Sequence, residues 1–219
     1  MDYKRIMLIA GHYGSGKTNI AVNMAFDMKR YYNNVAIADL DIVNPYFRTK
    51  DSQKEFENAG IKLICSEYAN TNVDIPAIPQ EMYSIIDNKN IMAVVDIGGD
   101  DRGAYALGRY SDDIVAEDNF EMLFVINKYR PLTRNASDVI EVMHEIETAG
   151  KIKFTGIINN SNLGEETTAE DVLSSLEYAE EVSKATRLPI IMTCAKENLC
   201  NELTSIANLF PLNLQKKII

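Results

Sequence analysis

Residues Gly11-His12-Tyr13-Gly14-Ser15-Gly16-Lys17-Thr18 constrain this chain more than any other stretch. They spell G-x-x-x-x-G-K-T, the phosphate-binding loop known as Walker A, and the spacing has a chemical reason. Glycines let the backbone curl so that successive N–H groups point at one anion. The lysine then reaches the β/γ-phosphates and the threonine hydroxyl takes a position on Mg²⁺. The flanks agree. Arg5 to Ala10 is an apolar run of strand length, and Ile20, Ala21, Met24, Ala25 and Met28 repeat at helical spacing. The loop is thus expected to join a strand to a helix N-terminus, where the dipole favours phosphate. Gly11, Tyr13, Gly14, Ser15, Gly16, Lys17, Thr18 and Asn19 are the expected nucleotide contacts.

Near-continuous apolar runs alternate with helix-like ones along the rest of the chain. Val35–Asp39, Ile61–Cys65, Ile91–Asp96, Met122–Asn127, Phe154–Asn159 and Leu188–Met192 read as strands, the last of them as the final one. Helices are expected over 53–59 with Gly60 as the stop, over 81–88, over 133–149 with Gly150 as the stop, and over 197–208. A further helix is expected to open on a Thr167-x-x-Glu170 capping box and run to about Ala185. Residues 66–78, with Pro76 inside and Pro79 just beyond, read as a loop, and 215–219 as a simple terminal segment. Apolar strands separated by helices imply an α/β fold with a mostly parallel sheet and helices on both faces.

With 219 residues, 46% of them hydrophobic, one domain over 1–219 has enough material for its core. A net charge of −10 argues against nonspecific nucleic-acid binding, which rests on Lys and Arg neutralising phosphates. No apolar run reaches the ~18 residues of a membrane span. The N-terminus shows no signal-peptide pattern, and three cysteines, Cys65, Cys194 and Cys200, suit reduced thiols in a cytoplasmic protein. They read as small buried hydrophobes.

Two further segments belong with the loop. Asp96 ends an apolar strand and precedes Ile97-Gly98-Gly99. A carboxylate at the carboxyl end of a parallel strand sits where open α/β sheets bind ligands. It fits the Walker B role on Mg²⁺, with Gly99 offering a backbone N–H to the terminal phosphate. Asp39-Leu40-Asp41 follows the second strand, and two carboxylates at i, i+2 suit two tasks: organising the metal's waters and orienting the attacking water. Downstream, Asn44-Pro45-Tyr46-Phe47-Arg48 has the mix of a switch segment; Arg48 is either a transition-state charge or a plain surface residue. For the base, Asn127-Lys128-Tyr129-Arg130 puts an arginine where a guanine reader has aspartate. Asn159 or Asn160, whose carboxamide both donates and accepts, is the expected adenine reader, the rival being a capping role. Backbone groups at Thr193-Cys194-Ala195, Ala195 in particular, complete that expectation.

The order of these parts resembles the MinD/ParA branch of P-loop ATPases, the CobQ/CobB/MinD/ParA nucleotide-binding group, from Ile6 to about Ala195. The resemblance implies a P-loop NTPase using ATP and Mg²⁺. It makes Lys17, Asp39 and Asp41 the catalytic residues and Thr18, Asp39 and Asp96 the metal residues. It further implies slow ATP hydrolysis coupled to a protein partner or a homodimer. Members of the group also include small-molecule kinases and ATP-dependent synthetases of the CobQ/CobB and dethiobiotin-synthetase kind, and a nucleotide-switched binding module with little turnover is a third reading. One departure stands out: the group's signature lysine, one residue after the first glycine, is His12 here. A neutral imidazole does not offset two triphosphates brought face to face, so ATP alone is expected not to drive a stable sandwich dimer.

Overall fold

The apolar runs become the centre of one sheet. In the computed structural model, which describes residues 2–40, 52–65, 80–99 and 101–214, the order is β1 (Ile6–Ala10), α1 (Lys17–Lys29), β2 (Val35–Asp39), α2 (Gln53–Ala59), β3 (Ile61–Ile64), α3 (Tyr83–Asp87), β4 (Met92–Asp96), α4 (Asp101–Leu107), α5 (Ser111–Glu117), β5 (Phe120–Ile126), α6 (Ala136–Gly150), β6 (Gly156–Asn159), α7 (Ala169–Ser174), α8 (Leu176–Thr186), β7 (Ile190–Lys196) and β8 (Leu209–Leu212). The strands pair in the order β3-β2-β4-β1-β5-β6-β7-β8, and every pairing is parallel. The chain leaves β1 for one side of the sheet and later returns past it to β5. The loop after β1 therefore opens at the topological switch point, where such sheets bind ligands.

Alternation along each strand sorts the core into two layers. Ile6 and Leu8 of β1, Ala36 and Ala38 of β2 and Phe124 of β5 face the layer that holds α4, α6 and α8. Met7 and Ile9, Val35 and Ile37, Val94 and Val125 face α1 and Phe56 of α2. Burial on both faces explains why the strands read as unbroken apolar runs.

Several boundaries differ from the sequence reading, each for a local reason. The capping box lies one residue later: Thr168 accepts from the Asp171 N–H and the Asp171 carboxylate accepts from the Thr168 N–H. The hydroxyl of Thr167 instead donates to the Gly164 carbonyl at 2.7 Å. The helix it opens is broken at Ser175, whose hydroxyl donates back to Val172 and accepts from Asn159. Leu188–Met192 does not end the sheet, and 197–208 is no α-helix: a 3-10 turn over Glu197–Glu202 leads into the edge strand β8. Pro211 disguises that strand in the sequence, yet an edge tolerates a residue without an N–H. The expected loop at 66–78 and the terminal segment 215–219 lie outside the described residues.

At the amino ends of the strands, Arg5 is 4% exposed. It pairs with Glu117, which also meets Lys89 at 2.7 Å, and donates to the carbonyls of Ile85 and Ile91 at 2.9 Å. The Arg5 hydrogen bond holds the Glu117 carboxyl below its ordinary value of 4.5 against the opposing pull of burial. Removing one partner of a buried pair strands the other charge. Glu117→Ala is therefore expected to cost about 3 kcal/mol of stability by denaturant melt. A carboxyl whose value is lower in the folded state stabilises fully above the unfolded value, and that share fades as pH falls through the folded one. Stability of the parent, but much less that of Glu117→Gln, should therefore fall from about pH 4.5 downward.

The helices return to the sheet through short turns at this same end. Three of them close on left-handed residues that are not glycine: Asp118 (φ 53°) after α5, Lys151 (φ 57°) after α6 and Arg187 (φ 61°) after α8.

Candidate functional site

The phosphate loop curls because three of its glycines take positive φ: Gly11 at 149°, Gly14 at 75° and Gly16 at 92°. The Ser15 N–H bonds the His12 carbonyl at 3.1 Å, and Gly16 caps α1, so the N-terminal N–H end of that 13-residue helix opens on the loop. Lys17 and Thr18 are buried in the first turn, and the Lys17 ammonium donates to the His12 carbonyl at 3.3 Å. The buried Ser15 hydroxyl finds no hydrogen-bond partner among the described residues. A ring of backbone donors, a buried ammonium and an unsatisfied hydroxyl form a donor set suited to a polyphosphate.

Both described carboxylates stand beside it. Asp39 and Asp96 are register partners on adjacent strands, and Asp96 is fully buried. By alternation both side chains belong to the α1 face of the sheet, the face that carries Lys17 and Thr18. The Leu40 N–H bonds the Asp96 carbonyl and the Ile97 N–H bonds that of Ile9, fixing the loop that leaves β4. Gly99 lies so close to the phosphate loop that a Cβ there would meet the Tyr13 nitrogen at 2.7 Å, the Lys17 Nζ at 2.9 Å and the Gly11 oxygen at 3.0 Å. Among the described residues no three His, Cys, Asp or Glu side chains converge as a self-sufficient metal centre. The set suits Mg²⁺ held jointly with phosphates, since that ion takes one or two carboxylates and keeps substrate oxygens. Asp41, Arg48 and the rest of the proposed switch segment lie outside the described residues.

The asparagines on the other side are engaged internally. Asn159 is fully buried; its amide donates to Ser175 at 2.9 Å, and its oxygen accepts from the Ser161 N–H and hydroxyl. Asn160 donates to the Ser15 carbonyl at 2.7 Å, bracing the phosphate loop from β6. Asn127 ties the loop after β5 by accepting from the Tyr129 N–H. In this arrangement the carboxamide of Asn159 meets a purine only by giving up three bonds. Ala195 differs: register with β6 ends at Thr193 while β7 continues to Lys196 against β8. Its backbone is thus left without a strand on the β6 side. The sequence left a structural role for these asparagines open beside base reading but gave no partners, because a buried asparagine and a base-reading one look alike in a sequence.

His12 is half-buried, and its Nδ1 lies 3.0 Å from the Tyr13 carbonyl. Burial lowers its value from 6.5, with the Tyr13 carbonyl opposing and Lys17 adding to the shift, which favours the neutral imidazole. Cys194 is buried, with its thiol pushed up by burial, and Cys65 and Cys200 are half-buried.

Comparison with known proteins agrees with this geometry. A family model described as the CobQ/CobB/MinD/ParA nucleotide-binding domain matches residues 6–187. No curated protein matches the chain. Among solved structures, FtsY from Mycoplasma mycoides is similar at 20% identity and a TM-score of 0.54, over 88% of this chain and 59% of that one. The cell division protein ftsY from Thermotoga maritima gives 17% and 0.57, over 88% and 62%. The signal recognition particle 54 kDa protein from Aeropyrum pernix, solved in complex with GDP, gives 17% and 0.52, over 88% and 41%. At these identities the likeness is one of fold. The chain spans less than two thirds of the length of each of these three.

Proposed function

Since the chain belongs to the CobQ/CobB/MinD/ParA nucleotide-binding domain family, we propose that it is a Mg²⁺-dependent ATPase that turns over slowly and is coupled to a protein partner. The observation that carries the reading is the corner where α1 opens. There Lys17, Thr18, Asp39, Asp96 and the close-packed Gly99 come from three separate segments to one end of the sheet. Thr18 and Asp96, with Asp39, are the residues to hold the metal. Mg²⁺, when bound, neutralises charge on the phosphoryl oxygens. Lys17 and the loop N–H groups bind the β/γ-phosphates, and the Gly99 backbone fixes the terminal one. Asp41 is assigned the attacking water. The lack of a carboxylate at position 130, where a guanine reader has one, argues for ATP over GTP, and Ala195 and Asn160 are the remaining candidates beside the base edge. Two cations of the sandwich type are not available from neutral His12, so the partner, whether a second copy or another protein, is proposed to supply the trigger.

Phosphate release from Mg-ATP and Mg-GTP by the purified chain, with binding by calorimetry, tests this. Asp41→Asn should slow turnover at saturation while leaving affinity nearly intact, because orientation of water acts on the chemical step. Asp96→Asn should instead weaken binding only when Mg²⁺ is present. Equal loss of binding in both variants, with turnover untouched, overturns the assignment of roles. Displacement of ATP by GTP at equal concentration overturns the base preference.

A further inference from the structure

Arg130 sits against the phosphate loop. A Cβ placed at Gly14 would lie 3.6 Å from its Nε and Cζ and 3.9 Å from its Cδ, so the guanidinium end covers the middle of the loop. Its backbone is held on both sides: its N–H bonds the Asn127 carbonyl at 3.0 Å, and its carbonyl accepts from the Thr133 N–H at 3.2 Å. Pro131 follows, and Thr133 is itself fixed by donating to Asn127 and accepting from Tyr178. No carboxylate among the described residues pairs with the guanidinium. A loop pinned by these bonds therefore holds an exposed, permanent cation beside the α1 N-terminus, where the positive end of the dipole opposes it and an anionic ligand would favour it.

Strand order says which part of that ligand it meets. The residues for the terminal phosphates and metal lie on one side of β1: Asp39 ends β2, Asp96 ends β4 and Gly99 follows it. Arg130 follows β5 on the other side, as does Asn160, just after β6, which braces Ser15. A nucleotide laid across the loop with its terminal phosphate at Gly99 has its nucleoside beyond Gly14, at Arg130. We propose that Arg130 is a binding residue for the nucleoside half, its planar guanidinium stacked on the face of the purine. Such a contact is indifferent to which purine is bound, because a delocalised cation is attracted to any aromatic face. Base preference then has to come from the ring edge.

This inference rests on the nucleotide-binding reading, and the test separates the two. Affinities of the full chain for Mg-ATP, Mg-GTP and magnesium tripolyphosphate are measured by calorimetry for the parent, Arg130→Ala, Arg130→Lys and Lys17→Ala, with circular dichroism as the control for folding. Arg130→Ala should bind ATP and GTP roughly tenfold more weakly, alike for both. Tripolyphosphate, which has no ring, should bind as to the parent. Arg130→Lys should recover little, because an ammonium has the charge without the plane. An equal loss toward tripolyphosphate would make Arg130 a phosphate ligand and overturn the proposal, as would unchanged ATP affinity or a loss confined to one purine. If Lys17→Ala collapses binding while Arg130→Ala does not, only this inference fails. If the parent binds none of the three, the nucleotide reading fails with it.

Discussion

Lys17→Ala is expected to abolish tight Mg-ATP binding and leave the fold intact. Lys17 is 5% exposed and stands in the first turn of α1, at the positive end of the helix dipole. That placement at the positive end of the dipole suits a cation best once phosphates arrive, so binding draws on the ammonium more than folding does. Losing one partner of a desolvated charge pair costs about 3 kcal/mol or more, which is over a hundredfold in affinity. Calorimetry gives the first quantity and thermal melting without nucleotide the second. Parent-like affinity would remove Lys17 from the site. A lower melting point would show that the fold depends on the ammonium.

Gly99→Ala should nearly match that loss by a different route. The added methyl would sit 2.7 Å from the Tyr13 nitrogen and 3.0 Å from the Gly11 oxygen, both backbone atoms that cannot turn aside. Either the phosphate loop or the loop after β4 has to move. Overpacking of this kind costs about 1–3 kcal/mol, and the displacement falls on the groups that surround the phosphates. Mg-ATP affinity should drop at least tenfold, with a modest fall in melting temperature. Affinity within a factor of two of the parent would show that the two loops can separate without consequence.

The parts of the molecule that the sequence made legible are those governed by local rules. β1 and its phosphate loop follow from apolar periodicity and from glycine's freedom at positive φ, and Asp96 follows from its place at the end of a buried strand. What escaped depended on distant neighbours. α4 and α5 are short, and the segment between them carries Gly108 and Arg109 rather than a long apolar stripe. β8 hides its strand character behind Pro211, which is tolerable only because β8 lies at an edge. The side chains of Asn159 and Asn160 are polar groups at a strand end in the sequence, whereas the fold gives them Ser175, Ser161 and the Ser15 carbonyl as partners. Arg130 reads as a missing aspartate; only the three-dimensional approach to Gly14 turns it into a residue with a position of its own.

The left-handed caps at Asp118, Lys151 and Arg187 carry an engineering consequence. Each holds a side-chain-bearing residue where glycine would be free of the Cβ clash that disfavours this conformation, worth roughly 1 kcal/mol per site. All three lie at the amino ends of the strands, across the sheet's whole length from the phosphate loop. The chain thus keeps an undrawn reserve of stability at the rim where no chemistry happens, available to absorb destabilising change at the rim where it does.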